Sequence, residues 1–340
     1  REIDTNMEIL FVGAEGRMEM EKIPAAGYKI EGLWISGLQR RLTLQNFMFP
    51  FKVLSSIMKS KEIIRSFKPD VAVGTGGFAS GPLLRVAAGM RIPTLIQEQN
   101  SFPGITNKLL GKRVNKICVS YEGMDNYFPK EKIIVTGNPV RDDILSLEGK
   151  KNEAIKYFGL NPEKKTLLII GGSLGARTIN ESIFASLELL AQNNIQIIWQ
   201  TGKTYYETAQ KIFNPSLGWV GAFITKIDLA YACADIVVSR AGAISLSELA
   251  IVKKPCILVP SPNVAEDHQT KNAMALVKQE ASILIKDLEA REKLGKEIIY
   301  LINDTQKKNK LSENISKLAF PNSAEVIARE VMKLVTIKNK

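Results

Sequence analysis

Between Ala234 and Ala275 the chain twice runs from a short apolar stretch into a helix-like segment through a turn of small and polar residues. Ile236, Val237 and Val238 lead into Ser-Arg-Ala-Gly-Ala and then a segment carrying Glu248. Cys256 to Val259 follow, closed by Pro260 and a polar cluster of Asp267, His268, Gln269 and Asn272. Short apolar runs bounded by turn signals read as strands buried on both faces, the habit of a parallel sheet covered by helices. In such α/β sheets ligands bind beyond the carboxyl ends of the strands. A carboxylate one turn into a helix, near a loop rich in amide and imidazole groups, suits a ligand with many hydroxyls. The combination points to a nucleotide-sugar pocket.

The same alternation extends along the chain. Strands are expected at Glu8–Val12, Val71–Val73, Thr94–Ile96, Lys116–Val119 and Lys132–Thr136. A polar, proline-containing seam from Gly137 to Ala154 interrupts the pattern. A second series follows at Thr166–Ile170, Ile195–Gln200, Leu217–Phe223, Asp235–Ser239, Cys256–Val259 and Ser282–Ile285. With 340 residues there is room for two domains of roughly 100–200 residues each. Two Rossmann-like halves joined near residue 145 fit best, and Ala324 to Val335 is expected as an amphipathic closing helix. The chain opens on REIDTN, which reads as a helix end, and starts with arginine. The strand, glycine turn and helix that normally open a wound sheet are therefore expected to be missing, with any chemistry of that first loop.

Three cysteines in apolar surroundings (Cys118, Cys233, Cys256) read as buried thiols of a reducing compartment. No apolar run reaches the ~20 residues of a spanning helix, and no signal peptide opens the chain. A cytoplasmic protein is expected. The net charge of +11 suits nucleic acid, an anionic membrane or phosphorylated substrates. The lysines are scattered, without a basic stripe interleaved with aromatics, so phosphates and lipid head groups are favoured and nucleic acid is not expected.

Three glycine-rich turns carry the candidate phosphate chemistry. The first runs from Gly74 to Pro82 and includes Thr75, Gly76, Gly77, Ser80 and Gly81. The second, Gly171 to Ala176, places Ser173 as N-cap or phosphate ligand, and the third is Arg240-Ala241-Gly242-Ala243. Glycine lets backbone approach a phosphate, and helix N-terminal amides supply donors. Tight turns also use glycine for packing alone, but three at one topological position argue for a site. Neither GxGxxG nor GxxxxGK[ST] occurs, which counts against a dinucleotide oxidoreductase and a P-loop enzyme.

Six segments carry a resemblance: TGGFASGP (75–82), QEQNSFPGITNKLL (97–110), TGNPVR (136–141), GGSLGARTIN (171–180), ADIVVSRAGAISLSEL (234–249) and PCILVPSPNVAEDHQTKNA (255–273). In this order they resemble the MurG family of peptidoglycan glycosyltransferases, which add N-acetylglucosamine to lipid I to make lipid II. The resemblance implies an α/β GT-B architecture, two Rossmann-like domains whose parallel sheets face each other across a cleft. It implies an acceptor- and membrane-side domain over residues 1–144, joined by the helix at 324–340, and a UDP-sugar domain over 145–323. In the second domain it puts Ser173 at the diphosphate, Glu248 on the ribose, and the backbone near Phe223 and Ile224 on uracil. Ala243, Ile244 and Ser245 would line the phosphate turn, and Leu246 and Ser247 belong with the donor-binding residues. Gln269 and Asn272, with His268, would read the sugar, and Arg141 would neutralise phosphate. The plain readings are an N-cap serine, a helix-surface glutamate and a solvated loop.

In the first domain the resemblance makes Thr75, Gly76, Gly77, Ser80, Gly81 and Asn107 the site for the lipid diphosphate. Asn100 belongs with the donor-binding residues. Gln97 stands where the family has a histidine, and the family's other histidine lies in the first glycine loop. The remaining candidate for taking the proton of the attacking hydroxyl is Glu98. No Asp-x-Asp motif occurs, so no metal or other cofactor is implied, and loop amides with Arg141 would stabilise the leaving UDP.

Arg40 to Lys52 bears on the membrane. Leu44, Phe47, Met48 and Phe51 fall at helical spacing, flanked by Arg40, Arg41 and Lys52. Such a stripe is either an ordinary helix packed on the sheet or an interfacial anchor. The lipid-linked acceptor implies peripheral attachment to the cytoplasmic face of a bacterial inner membrane, aided by positive charge on anionic lipid. Partners implied are UDP-N-acetylglucosamine, lipid I, the membrane surface and other cell-wall synthesis and division proteins. The expected reaction is inverting transfer to the C4 hydroxyl of the N-acetylmuramyl unit. Alternatives are a UDP-sugar 2-epimerase, a glycolipid transferase or a non-catalytic UDP-sugar-binding module.

Overall fold

A computed structural model describes residues 4–37, 47–172 and 175–338. The chain divides into two compact units, Arg1–Gly137 with Ala324–Lys340, and Asn138–Ser323. In the first, Asp4 accepts from the Asn6 amide at 2.9 Å across a turn at Thr5–Asn6, and Arg1, Glu2 and Ile3 of the expected helix end lie outside the described residues. Strands β1 (Leu10–Ala14) and β2 (Lys29–Leu33) pair in parallel, with helix α1 (Glu19–Ala25) between them in sequence. Helix α2 (Phe49–Phe67) leads to β3 (Ala72–Gly74), α3 (Gly77–Gly89), β4 (Thr94–Glu98), α4 (Ile105–Gly111), β5 (Lys116–Val119) and β6 (Ile133–Val135). These four strands form a parallel sheet in the order β3-β4-β5-β6. Strand β2 was not expected. Two charged residues and Gly32 weaken its strand signal, yet a Cβ at Gly32 would stand 2.8 Å from the Glu15 side chain.

Successive residues of β4 serve opposite faces of its sheet. Ile96 packs with Leu84, Leu110 and Ile117, while Leu95 packs with Cys118. Both faces are covered, as in a parallel sheet flanked by helices, and all five residues of β4 are buried.

The second unit begins with α5 (Lys151–Phe158) and continues through β7 (Lys165–Ile170), α6 (Arg177–Gln192), β8 (Ile195–Gln200), α7 (Lys203–Ile212) and β9 (Gly218–Gly221). It goes on through α8 (Ile227–Cys233), β10 (Ile236–Ser239), α9 (Ala243–Ile251), β11 (Cys256–Leu258), α10 (His268–Val277) and β12 (Ile283–Leu284). Helices α11 (Ala290–Asn303) and α12 (Thr305–Ser316) complete it. Its strands are parallel in the order β12-β11-β10-β7-β8-β9. The winding reverses direction between β7 and β10, paired from Ile236 opposite Leu167 to Ser239 opposite Ile170. That reversal is the switch point at which a doubly wound sheet opens a crevice for ligand. Trp199 is fully buried, and its indole N–H donates to Asn180 Oδ1 at 3.0 Å. Gly175 has φ +82, and a Cβ there would lie 2.2 Å from the Thr201 carbonyl, so only glycine fits.

From Ala324 onward the closing helix α13 (Ser323–Lys338) belongs to the first unit, where Leu334 packs on Leu95 and Cys118. Burial pushes the Cys118 thiol up to about 11. Among the described residues, no helix is long and apolar enough to cross a membrane.

Candidate functional site

In the second unit the candidate site gathers at the β7/β10 switch point. The first hydrogen bond inside α9 runs from the Leu246 amide to the Gly242 carbonyl at 3.0 Å. The amides of Ala243, Ile244 and Ser245 therefore stand outside the helix ladder, at the positive end of its dipole. Ile244 is exposed and Ala243 and Ser245 are half-buried, so this turn is open to a ligand. Leu246 is buried in the core and lies on the opposite side of the helix start. Ser247 donates to the Ala243 carbonyl at 3.1 Å and accepts from Asn138 Nδ2 at 3.1 Å.

Glu248 is only 8% exposed. Its Oε1 accepts from Arg141 Nε at 3.2 Å, and its Oε2 accepts from the Tyr231 hydroxyl at 3.1 Å. Burial raises the Glu248 carboxyl above its ordinary range, while the Arg141 charge and both hydrogen bonds pull it back. The Tyr231 hydroxyl is pushed well up by burial first and the Glu248 charge second. Tyr231 carries no motif signal, being one aromatic residue in an alanine-rich helix.

Gln200, at the end of β8, was also missed. Its Nε2 donates to the Gly172 carbonyl at 3.1 Å, and its Oε1 accepts from the Ile224 amide at 3.1 Å. It thus ties the glycine turn after β7 to the segment after β9. Phe223 exposes its ring beside this tie, whereas the Ile224 side chain is buried and leaves only its backbone to the site. Ser173 lies outside the described residues.

On the sugar-side loop, Gln269 accepts from the Ser261 amide at 2.8 Å, and His268 is half-buried at the start of α10. Asn272 is fully buried and donates to the Ala241 carbonyl at 3.4 Å. Through this bond the residue expected to read the sugar braces the turn before α9. Arg240 turns inward as well. Its guanidinium donates to the Val259 and Pro260 carbonyls at 2.9 and 3.0 Å and pairs with Asp287. Arg240 holds the ends of β10 and β11 together.

In the first unit, the loops after β3 and β4 are joined by Gln99, whose Nε2 donates to the Thr75 carbonyl at 2.8 Å. Glu98 is 2% exposed. Its Oε1 accepts from the Asn100 amide at 3.0 Å and Asn100 Nδ2 at 3.1 Å, and its Oε2 from the Gly104 amide at 3.1 Å and Asn107 Nδ2 at 2.8 Å. A carboxylate with four donors is the anchor of this loop. Asn107 belongs to the same network. It is buried, its Nδ2 is spent on Glu98 and the Gln97 carbonyl, and its remaining Oδ1 is an acceptor.

Ser80 donates to the Gly76 carbonyl, and Gly81 lies within α3. Gly76 and Gly77 adopt φ +88 and +77, which aims the loop backbone where side-chain-bearing residues cannot easily follow. What this loop offers an anion is backbone N–H at the start of α3.

Arg40, Arg41 and Leu44 lie outside the described residues. Beyond them, α2 buries Ser56, Ser60, Ile63 and Ile64 on one side. Phe47, Met48, Phe51, Leu54 and Met58 are exposed, so the apolar stripe is not a core face. Leu54 and Met58 extend it beyond the expected residues. Lys52 turns back, 3.0 Å from the Ser36 hydroxyl and over the Trp34 ring.

Residues 2–119 match the glycosyltransferase family 28 N-terminal domain, and residues 166–329 match the glycosyltransferase family 28 C-terminal domain. The chain belongs to glycosyltransferase family 28. Among its family 28 relatives is a Flavobacterium psychrophilum protein 56% identical over 330 residues, covering 97% of this chain and 90% of the relative. That relative is named UDP-N-acetylglucosamine–N-acetylmuramyl-(pentapeptide) pyrophosphoryl-undecaprenol N-acetylglucosamine transferase. A Cytophaga hutchinsonii protein of the same name is 54% identical, covering 98% of this chain and 90% of the relative. The crystal structure of Acinetobacter baumannii MurG superposes with a TM-score of 0.77 at 25% identity, covering 96% of this chain and 91% of that one. A Staphylococcus aureus MnaA–UDP structure shares the fold alone, with a TM-score of 0.64 at 15% identity, covering 97% and 98% of the two chains. Two α/β domains with parallel sheets are thus the family 28 fold, as the strand pattern and motif order implied.

Proposed function

We propose that this chain moves N-acetylglucosamine from UDP-N-acetylglucosamine to the C4 hydroxyl of the N-acetylmuramyl unit of lipid I, giving lipid II with inversion at the anomeric carbon. The observation that carries the reading is Glu248, a buried carboxylate at the switch point of a chain more than half identical to transferases of that name.

A carboxylate accepts from both hydroxyls of a vicinal diol, which suits Glu248 to the ribose. The amides of Ala243, Ile244 and Ser245 and the guanidinium of Arg141 face the charge that grows on the diphosphate as the bond from C1 to the phosphate oxygen breaks. The Ile224 backbone, fixed by Gln200, and the Phe223 ring receive the base. Gln269 and His268 face the sugar. In the first unit, backbone donors of Thr75 to Gly77 receive the acceptor's diphosphate, and Glu98 holds Asn100 in place instead of taking the proton. No residue in this scheme is assigned to a metal.

The exposed row on α2 and the positive charge of the chain support seating on an anionic membrane surface, where a polyprenyl-linked acceptor resides. The test is transfer of labelled sugar from UDP-N-acetylglucosamine to a lipid I analogue, with and without acceptor. Label in the lipid product supports the reading. Conversion of free donor to UDP-N-acetylmannosamine, with no lipid product, would replace it with an epimerase.

A further inference from the structure

Tyr231 lies on α8, outside every loop that forms the nucleotide-sugar site. It is 1% exposed, and a phenol that deep needs a partner for its O–H. Its partner is Oε2 of Glu248, at 3.1 Å. The other oxygen takes Arg141 Nε at 3.2 Å, but the Arg141 side chain is 47% exposed and free to follow a ligand phosphate. Of the two donors, only Tyr231 is locked by packing. A glutamate held by Arg141 alone would swing with it, whereas one pinned at Oε2 keeps its carboxylate plane fixed and presents Oε1 to a diol.

We propose that Tyr231 is a positioning residue that sets the orientation of Glu248 and thereby the recognition of the donor's ribose hydroxyls. The inference rests on Glu248 being the ribose carboxylate. Sequence patterns do not reveal it, because the tyrosine sits in a core helix and touches the donor through another side chain.

The experiment measures Kd for UDP and for 3′-deoxy-UDP by calorimetry, together with donor KM and kcat, on wild type, Tyr231→Phe, Glu248→Gln and the double variant. Tyr231→Phe removes one oxygen and keeps the ring. A charged hydrogen bond carries about tenfold in affinity, so wild type should prefer UDP over the deoxy analogue by about that factor. In Tyr231→Phe the preference should fall to about twofold or less, with donor KM raised about tenfold and kcat changed less than about twofold. A tyrosine that only fills space would lower the melting temperature and leave the deoxy preference intact, and that result overturns the inference.

Loss of the preference in Glu248→Gln but not in Tyr231→Phe overturns it too, while leaving the ribose assignment standing. An unchanged preference in Glu248→Gln removes the ribose assignment and the inference together. If Tyr231→Phe does not fold, Glu248→Gln and the double variant remain to compare, since the double change leaves no buried carboxylate short of a donor. Equal donor KM in those two supports the inference, and a further loss in the double variant contradicts it.

Discussion

A carboxylate taken out of water needs donors on its oxygens, and Glu98 receives two from Asn100 and one each from Gly104 and Asn107. Replacing it with glutamine turns one acceptor into a donor that faces another donor. Glu98→Gln should therefore destabilise the first unit by about 1–3 kcal/mol, read from urea unfolding, and speed amide exchange at Asn100 and Gly104. Unchanged stability and exchange with a collapsed kcat would instead make Glu98 the base. Motif order brought Glu98, Glu248, Arg141 and Gln269 into view, because each is a polar residue inside a segment that carries the family resemblance. Gln99, Gln200 and Tyr231 were hidden. Their work is hydrogen bonding to groups distant in sequence, from strand ends for Gln99 and Gln200 and from a core helix for Tyr231, and nothing local marks it.

At the scale of elements, strands buried on both faces were the most legible feature. Lys116–Val119 and Ile195–Gln200 form as expected, and the other expected strands appear with ends shifted by a residue or two. β2 escaped because it alternates charge with small residues, and pairing with β1 rather than composition makes it a strand. The stripe over Arg40 to Lys52 was legible as amphipathic and reaches only the first turn of α2, and periodicity alone does not say which face is wet. Phe51 and Leu54 are 64% and 59% exposed, so their apolar area has been left in water by the fold. Seating each in a membrane interface gains about 1–2 kcal/mol, short of the value for full burial. The double change Phe51→Ser and Leu54→Ser should lower binding to vesicles containing anionic phospholipid by at least about tenfold, with stability nearly unchanged. Binding unaffected by the change would assign the row another occupant.

For the whole molecule, each unit is a parallel α/β layer with its own core, and the chain returns in α13 to complete the first. The switch point is a property of strand order, which local patterns do not encode. Motif resemblance pointed to the site, and the reversal between β7 and β10 explains in physical terms why it lies there.

Glu248 links that architecture to chemistry. Burial outweighs its partners and raises its carboxyl above the ordinary 4.5. The buried charge is therefore a cost to the folded state once pH rises through that raised value, and stability is greater below it. Binding runs the other way, since the ribose diol needs the ionised form. The direct measurement is the affinity of UDP-N-acetylglucosamine by calorimetry between pH 5 and about 8, on wild type and Glu248→Gln. Affinity in wild type should weaken as pH falls toward the raised carboxyl value. At the upper end Glu248→Gln should bind at least about tenfold more weakly and lose the carboxylate's pH dependence. Equal affinity of the two proteins across the range would contradict a donor site built on Glu248.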